Sequence, residues 1–343
     1  MQLICSLKYW RVIMKKFFAL ILVVVMVLSF AGCAKGEEEV KATVLKVAFN
    51  QSESHPQYKA LAAFGEALAT ETDGAYTLEI SPNALLGDQR ATAELVQSGA
   101  IQMSVVGNPI VENFNQEFAV IGLPYIYDSL DHQETVFTSG VLGDLFASTR
   151  EQGFVVVGAF TAGSRNVYTD KPITQPSDLA GYKVRVMQSD TMKKMLDYMG
   201  GVGTPMAQGE VYTAVQQGVL EGGENNEVTY VDLKHYEISP FFSYTQHLMV
   251  PDLIIINNAV LDAMSDTHKA TFEKLMNEAI SNQFDAWAES VDAAKAIAIE
   301  NGATFVDVDI TPFQENVKPL HEEVTAKSDL SKALYEAIRA LVK

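Results

Sequence analysis

Two arginines in successive strand-like segments have the chemistry to bind a carboxylate. Arg185 stands in "LAGYKVRVM", where Val184 and Val186 alternate with polar residues in the manner of a half-buried strand. Arg165 stands in the segment before it, "AGSRNVYT". The chain has six arginines and nineteen lysines, so arginine is used sparingly. A guanidinium group can donate two parallel hydrogen bonds to one carboxylate, and the ammonium group of lysine cannot reproduce that geometry.

The same two arginines could instead form structural ion pairs. Asp170, Asp178 and Glu224 are the acidic residues that we consider as partners for them. The two interpretations make opposite predictions, because an arginine that is paired within the protein has fewer donors left for a ligand. The residue types alone leave both open.

Polar residues at strand ends extend this candidate site. Asn50 ends the first predicted strand, and Asn225 lies in the later segment "GGENN". In open α/β sheets, ligands bind beyond the carboxyl ends of the strands. We therefore expect a binding site built from arginine and amide side chains.

Catalytic and cofactor motifs are absent from the sequence. The six histidines are scattered, and none stands in a metal-binding spacing such as H-E-x-x-H. The segment "AGSRN" lacks the second glycine of a nucleophile elbow. In "MGGVGTPM", Pro205 occupies the position where a phosphate-binding helix would begin. We therefore expect no metal, no cofactor and no enzymatic activity.

Strands and helices alternate along the chain, which favours an α/β fold with a largely parallel sheet. One predicted helix, residues 266–300, would be about 50 Å long at 1.5 Å per residue. That length exceeds one compact lobe, so we expect this helix to span two. The predicted strands are residues 44–50, 76–81, 101–106, 154–160, 182–187, 203–206, 253–257 and 303–309.

The N-terminal residues resemble a bacterial lipoprotein signal peptide. Lys15 and Lys16 precede an apolar run at residues 17–30, which is short for a membrane span, and "FAGC" ends at Cys33. We expect cleavage after residue 32, lipidation of Cys33 and a tether at residues 33–43. A transmembrane anchor that stays attached is the alternative, and Met14 is an alternative start.

Charge and cysteine content narrow the function further. The net charge is −18, and loss of residues 1–32, which carry four basic and no acidic side chains, takes it to −22. Nucleic-acid binding requires basic surfaces, so nucleic acid is excluded as a partner. The processed chain would hold one cysteine and therefore no internal disulfide.

From about residue 44 to 320 the chain resembles the substrate-binding proteins of tripartite ATP-independent periplasmic (TRAP) transporters. The likeness rests on the order of several segments, including "LLGDQR", "FAVIGLPYIYDS", "DLAGYKVRVMQSDT" and "GVLEGGENN". It implies a two-lobed, periplasmic-binding-protein-like α/β fold with crossing strands and a long lobe-spanning helix. We expect lobe I to comprise residues 44–163 and about 251–290, and lobe II residues 164–250 and about 291–343.

The resemblance also implies roles for individual residues. Arg185 matches the arginine that forms a salt bridge with the ligand carboxylate, and Arg165 and Asn225 match residues that complete its hydrogen bonds. Asn50 matches the polar residue after the first strand. Glutamines that match pocket-lining positions are Gln89, Gln188 and Gln208.

Two positions depart from the members that bind sialic acid. Gly107 stands where those members have a glutamate, and Gln208 stands where they have a bulky aromatic residue. Several segments, among them "AGSRNVYT" and "QHLMVPD", resemble instead the branch that binds uronates such as glucuronate and galacturonate. In that branch Glu53, His55 and His247 would contact the sugar hydroxyls.

The expected function is that of an exported, monomeric solute-binding lipoprotein on the outer face of the bacterial cytoplasmic membrane. It would capture a uronate and deliver it to a TRAP membrane permease, and its lipid anchor would be its contact with the membrane. A four-carbon dicarboxylate or another organic acid is the alternative ligand. A secreted sugar-acid lyase or isomerase is the alternative activity, and it would need His55, His247 or Glu224 as a general base.

Overall fold

The computed structural model describes residues 42–342, and in these residues the strands form two sheets. The first sheet contains β1 (Thr43–Ala48), β2 (Tyr76–Ser81), β3 (Met103–Gly107), β4 (Phe154–Thr161) and β10 (Pro251–Asn257), in the order β2-β1-β3-β10-β4. The second contains β5 (Arg165–Thr169), β6 (Lys183–Val186), β7 (Val202–Pro205), β8 (Gly222–Asn225), β9 (Phe241–Leu248) and β11 (Thr304–Val306), in the order β11-β9-β5-β8-β6-β7.

Helices cover both sheets. The α-helices are α1 (Pro56–Glu71), α2 (Gln89–Gln97), α3 (Asn108–Glu112), α4 (Leu130–Thr138), α5 (Gly143–Ser148), α6 (Asp190–Met199), α7 (Val211–Gln216), α8 (Glu227–Asp232), α9 (Asn258–Ala263), α10 (Asp266–Glu300), α11 (Thr311–Thr325) and α12 (Asp329–Ala340). The short 3₁₀ helices are Gln116–Gly122, Thr149–Gln152, Pro176–Leu179, Gln208–Glu210 and His235–Glu237. We call the first sheet and its helices lobe I, and the second sheet and its helices lobe II.

The sheets are mixed rather than largely parallel, so that expectation was wrong. β1 pairs in parallel with β2 and β3, but β10 runs antiparallel to both β3 and β4. In the second sheet β5 is antiparallel to β8 and β9. The physical reason is that the chain crosses directly from strand to strand between the sheets, from β4 to β5 and from β9 to β10, before it crosses a third time through α10 to β11. A strand that returns from the other lobe enters its sheet in the opposite direction.

The first crossing is built around a glycine that no other residue can replace without strain. Gly163 follows β4 and has a φ of +62°, a left-handed conformation that side chains other than glycine rarely adopt. A β-carbon at this position would lie 2.2 Å from Nε1 of Trp287. Trp287 is buried in the middle of α10, so the long helix packs directly against the crossing.

The long helix has the predicted bounds and contacts both lobes. Ser265 caps it by accepting a hydrogen bond from the backbone N–H of His268 at 3.2 Å. The helix packs on α1 and β4 in lobe I and on α8 in lobe II. Phe272 and Met276 lie in the lobe I core beside Val47 and Ile254. The expectation of a lobe-spanning helix is confirmed.

The C-terminal helices lie against both lobes. α11 packs on α6 of lobe II, whereas α12 packs on the Gln116–Gly122 helix of lobe I. Nε2 of His132, in lobe I, lies 2.9 Å from the carbonyl oxygen of Ile338, and Arg339 forms an ion pair with Asp128 at 2.6 Å. The sequence-based division assigned this segment to lobe II. The exact bounds of the lobes stay a prediction.

The N-terminal predictions concern a different part of the chain. The expected signal peptide, Cys33 and nearly all of the tether lie outside the described residues. Within residues 42–342, no helix is both long enough and apolar enough to cross a bilayer.

Candidate functional site

A cavity of about 210 Å³ lies between the two lobes, at the carboxyl ends of several strands. Five of the predicted site residues line it. Asn50 and Gln89 come from lobe I, where Asn50 follows β1 and Gln89 begins α2. Arg185, Gln188 and Gln208 come from lobe II. The site therefore depends on both lobes for its side chains.

Arg185 reaches the cavity from the middle of β6 and is only 4% exposed. Its Nε donates a hydrogen bond to the carbonyl oxygen of Met206 at 2.8 Å, which fixes the plane of the guanidinium. Within residues 42–342, no protein atom accepts a hydrogen bond from its two terminal amino groups. Arg185 thus presents a fixed pair of unused donors at the cavity, which is the geometry that a carboxylate accepts.

Arg165 does not line the cavity, because it is paired inside lobe II. Its Nε lies 2.5 Å from Oε2 of Glu224, and its Nη2 donates to Oε1 of the same carboxylate at 2.7 Å. The remaining amino group donates to Oδ1 of Asn225 at 3.0 Å. Arg165 thus forms an ion pair within the protein in this structure, and its contact with a ligand carboxylate stays a prediction. Asn225 in turn is buried and does not line the cavity.

The strand order explains why the Glu224 carboxylate pairs with Arg165 and leaves Arg185 free to face the cavity. β8 lies between β5 and β6, so Glu224 stands on the strand that separates Arg165 from Arg185. Burial raises the pKa of Glu224, but the charge of Arg165, the hydrogen bonds of Arg165 and His247 and the charge of His247 together outweigh burial and lower the pKa to about 2. Burial lowers the pKa of Arg165. The charge of Glu224 and its hydrogen bond with Arg165 outweigh burial, so the pKa of Arg165 is raised. The pair is held ionised.

Arg185 keeps a positive charge despite its burial. Burial lowers its pKa to about 10, with the Arg165 charge acting in the same direction and the Glu224 charge opposing both. A pKa of about 10 still leaves the guanidinium charged at neutral pH. Since Arg165 and Glu224 largely cancel each other, Arg185 supplies the net positive charge of this region.

Amide side chains join the lobes across one side of the cavity. Asn50 of lobe I donates to Oε1 of Gln208 at 3.4 Å, and Gln208 donates to Oε1 of Gln51 at 3.1 Å. Gln51 completes the series by donating to Thr229 of lobe II at 3.1 Å. These contacts hold the lobes in a closed arrangement.

Three further hydrogen bonds cross between the lobes near the cavity. Ser52 donates to Asp232 at 2.8 Å, and Asn113 donates to the carbonyl oxygen of Gln188 at 2.8 Å. Thr191 donates to Glu112 at 2.6 Å, and burial raises the pKa of that carboxyl. Closure is therefore supported by polar contacts on several sides of the cavity.

The predicted hydroxyl partners lie elsewhere. Glu53 is exposed and does not line the cavity. His55 caps α1, where its Nδ1 accepts from the backbone N–H of Gln57 at 3.3 Å, and burial lowers its pKa to about 3. His247 is fully buried, with Nδ1 2.9 Å from the Thr245 hydroxyl. These three residues do not contact the cavity in this arrangement.

The same positions weaken the alternative of an enzyme. His55, His247 and Glu224 were the candidate general bases, and none of them lines the cavity. The pKa of Glu224, at about 2, makes it a poor proton acceptor. Among residues 42–342 there is also no group of three or more potential metal ligands.

Sequence reasoning missed several polar residues that line the cavity. Gln51 and Ser52 directly follow Asn50 at the end of β1, so the strand-end argument could have included them. Asn83, Asp88 and Asp232 come from loops and helix ends whose folding the sequence pattern does not reveal. The cavity thus combines one cation, two carboxylates and several amides.

Comparisons with known proteins identify the family. The model of the bacterial extracellular solute-binding proteins, family 7 (DctP), matches residues 47–328. A solute-binding protein of Chromohalobacter salexigens is 34% identical over 79% of this chain and 81% of its own length.

Two solved structures have the same fold. A TRAP periplasmic solute-binding protein from Anaerococcus prevotii, with bound D-glucuronate, is 38% identical and has a TM-score of 0.84 over 87% of this chain and 98% of its own. One from Xanthobacter autotrophicus, with bound β-D-galacturonate, is 28% identical and has a TM-score of 0.82 over 86% of this chain and 99% of its own. The chain therefore belongs to family 7 of the bacterial extracellular solute-binding proteins, with the solute-binding proteins of TRAP transporters, and it is an exported binding protein rather than an enzyme.

Proposed function

We propose that this protein binds a hexuronate such as glucuronate or galacturonate between its lobes and delivers it to a TRAP membrane permease. The observation that carries the proposal is the unpaired guanidinium edge of Arg185. Among the described residues that line the cavity, Arg185 is the one with a positive charge. It is therefore the group that would hold the carboxylate of the sugar acid.

The remaining lining residues favour a ligand rich in hydroxyl groups. Asn50, Gln89 and Gln208 present amide groups, which both donate and accept hydrogen bonds. Asp88 and Asp232 are acceptors when ionised, and a hydroxyl group can donate to them. A dicarboxylate would need a second cation for its second charge, and Asp88 and Asp232 would instead repel it.

The comparisons support the same class of ligand. The Anaerococcus prevotii protein was crystallised with glucuronate and the Xanthobacter autotrophicus protein with galacturonate. Their folds match this one closely over nearly their whole lengths. A cavity of about 210 Å³ also lies below the roughly 300 Å³ at which pockets for drug-sized ligands begin, which suits a single sugar ring.

Titration calorimetry of the processed chain with glucuronate, galacturonate, glucose and succinate tests the proposal. We expect a uronate to bind at least about thirtyfold more tightly than glucose, because loss of the carboxylate leaves Arg185 buried without an acceptor. Tight binding of succinate with no uronate signal would place the protein among dicarboxylate carriers. Equal affinity for glucose and glucuronate would contradict the role of Arg185.

We also propose that Cys33 carries a lipid anchor. The proposal rests on the "FAGC" sequence after an apolar run of signal-peptide length. Acyl chains on Cys33 would hold the binding lobes near the outer face of the cytoplasmic membrane. Mass spectrometry of the membrane-extracted protein should show acylated Cys33 as the first residue, and Cys33→Ser should either release the protein or leave it unprocessed. An unmodified N-terminus at another residue would contradict it.

The binding unit is proposed to act as a monomer, because its cavity is completed by two lobes of one chain. Sedimentation of the processed chain lacking its lipid should give one species of monomer mass, with and without uronate. A stable dimer under both conditions would contradict this part of the proposal.

A further inference from the structure

A glycine of lobe I and a methionine of lobe II meet beside the cavity. Gly107 ends β3, and Met187 directly follows β6. A β-carbon built on Gly107 would lie 2.3 Å from Cε of Met187, far inside the contact distance of two carbon atoms. The methyl group of Met187 therefore occupies the space that a side chain at position 107 would take.

The backbone of Gly107 does not itself require glycine. Its φ of −62° and ψ of 143° are extended values that any residue adopts. Its N–H donates to Oε1 of Gln89 at 3.0 Å, and Gln89 lines the cavity. What the absence of a side chain provides here is space, and Met187 fills that space.

Met187 also lines the cavity, so this contact forms part of the cavity wall. The residue is 7% exposed, and its flexible thioether side chain can adjust to an irregular surface. Because Gly107 and Met187 belong to different lobes, this part of the wall is complete only when the lobes close. A ligand that extends to this point would have to displace the Met187 methyl group.

We propose that Met187, seated against Gly107, sets the upper limit on the length of the acid that the closed protein accepts. The inference rests on the proposed function, since it assumes a carboxylate held by Arg185. It adds a size criterion: one sugar ring fits within the closed wall, and a second ring linked to the first does not. Gly107 acts through Met187 and is a positioning residue.

The size limit is tested with Met187→Ala. Calorimetry with glucuronate, succinate and the disaccharide digalacturonate should show that the wild-type chain excludes the disaccharide. Met187→Ala should bind digalacturonate at least tenfold more tightly than wild type, while its affinity for the single-ring acid falls by no more than about tenfold. Unchanged exclusion of digalacturonate by Met187→Ala would overturn the size limit.

A double-mutant cycle tests whether Gly107 acts through Met187. Gly107→Ala alone should weaken binding roughly tenfold to a hundredfold, because the new methyl group displaces the Met187 end. In Gly107→Ala with Met187→Ala that penalty should largely disappear. Gly209 also lines the cavity, and a β-carbon there would meet no atom of the described residues within 4 Å. Gly209→Ala is therefore the matched control and should show no coupling to Met187→Ala.

The outcomes separate this inference from the proposed function. If wild type binds glucuronate and the Gly107 and Met187 effects simply add, the inference is wrong and the function stands. If wild type binds succinate and no uronate, the proposed function is wrong. The coupling of Gly107→Ala to Met187→Ala is then measured from succinate affinities. Equal coupling of Gly107 and of Gly209 to Met187 would also overturn the inference.

Discussion

The two arginines divide two tasks that the sequence presents together. Arg165 forms an ion pair with Glu224 and donates a hydrogen bond to Asn225, so it holds β8, the strand that carries both residues, in place. Among residues 42–342, Arg185 makes one hydrogen bond, to the backbone, and its two terminal amino groups have no acceptor. A buried ion pair contributes little net free energy, but it is costly to break from one side. The Arg165–Glu224 pair is best understood as a rigid support beside the residue that binds.

At this scale the decisive variant is Arg185→Lys. Lysine keeps the positive charge but loses the planar pair of donors, so we expect uronate affinity to fall roughly thirtyfold or more. Calorimetry with glucuronate measures the effect. Arg150→Lys makes the same substitution at an exposed ion pair with Asp262 and should leave the affinity unchanged. An affinity of Arg185→Lys within threefold of wild type would show that charge alone suffices.

The residues of the site were predictable where they follow strands and less so elsewhere. Arg185 and Asn50 line the cavity as expected from strand ends that converge there, and Gln208, which the resemblance implied, lines it too. His55 and His247 do not line the cavity. The ring of His55 caps α1, and the ring of His247 forms a buried hydrogen bond with Thr245. The sequence shows which residue type stands at a strand end. It does not show whether that side chain is already hydrogen-bonded to other residues of the protein.

Among the elements, the first crossing between the lobes packs directly on the long helix. Gly163 combines a left-handed backbone with direct contact to the Trp287 indole. α10 contacts elements of both lobes, so it supports the crossing between them. A substitution at Gly163 should therefore disturb both stability and closure.

The comparison of Gly163→Ala with Gly181→Ala tests this packing. Both glycines have a positive φ, +62° and +81°, so alanine is strained at either by about 1–2 kcal/mol. In the part of the chain that the structure describes, a β-carbon at Gly181 would meet no atom within 4 Å, whereas at Gly163 it collides with Trp287. We expect Gly163→Ala to lose a further ~1–3 kcal/mol of unfolding free energy in urea titrations. Equal losses for the two variants would contradict a packing role for Trp287.

Most strands and the long helix were predictable from alternation and periodicity, but other elements, among them β9, α4, β8 and α11, were missed; β8 and α11 show why. β8 consists of "GGEN", and its glycines are needed because β-carbons at Gly222 and Gly223 would collide with Tyr168. Glycine-rich sequence reads as a turn, so this strand was missed. α11 contains Pro319, which normally interrupts a helix, and it too was missed. In both cases tertiary packing outweighs local preference.

For the whole molecule, one buried carboxyl outside the cavity couples stability to pH. Glu227 begins α8, and burial raises its pKa to about 7, opposed in part by its own backbone N–H, Lys295 and Tyr244. A carboxyl whose pKa is higher in the folded state favours folding while it is protonated. That contribution is full below the unfolded pKa of 4.5 and is lost as pH rises to about 7.

Glu227→Gln should therefore remove a pH dependence. The amide does not ionise, so the stability of the variant relative to wild type should rise by roughly 3 kcal/mol between pH 4.5 and 7 and then level off. Urea unfolding at several pH values measures the difference in unfolding free energy between Glu227→Gln and wild type. Groups that titrate alike in both proteins cancel in this difference. Glu79→Gln, at an exposed position of β2, controls for loss of one charge. A pH-independent difference between Glu227→Gln and wild type would refute the assignment.

The free donors of Arg185 have a consequence for communication with the permease. If the lobes closed with no carboxylate between them, the two amino groups of this largely buried guanidinium would have no acceptor among residues 42–342, which is unfavourable. Closure around a carboxylate is therefore favoured over closure without one. A permease that recognises only the closed outline could then distinguish loaded carriers from empty ones by shape alone, and empty carriers would compete less for its docking surface.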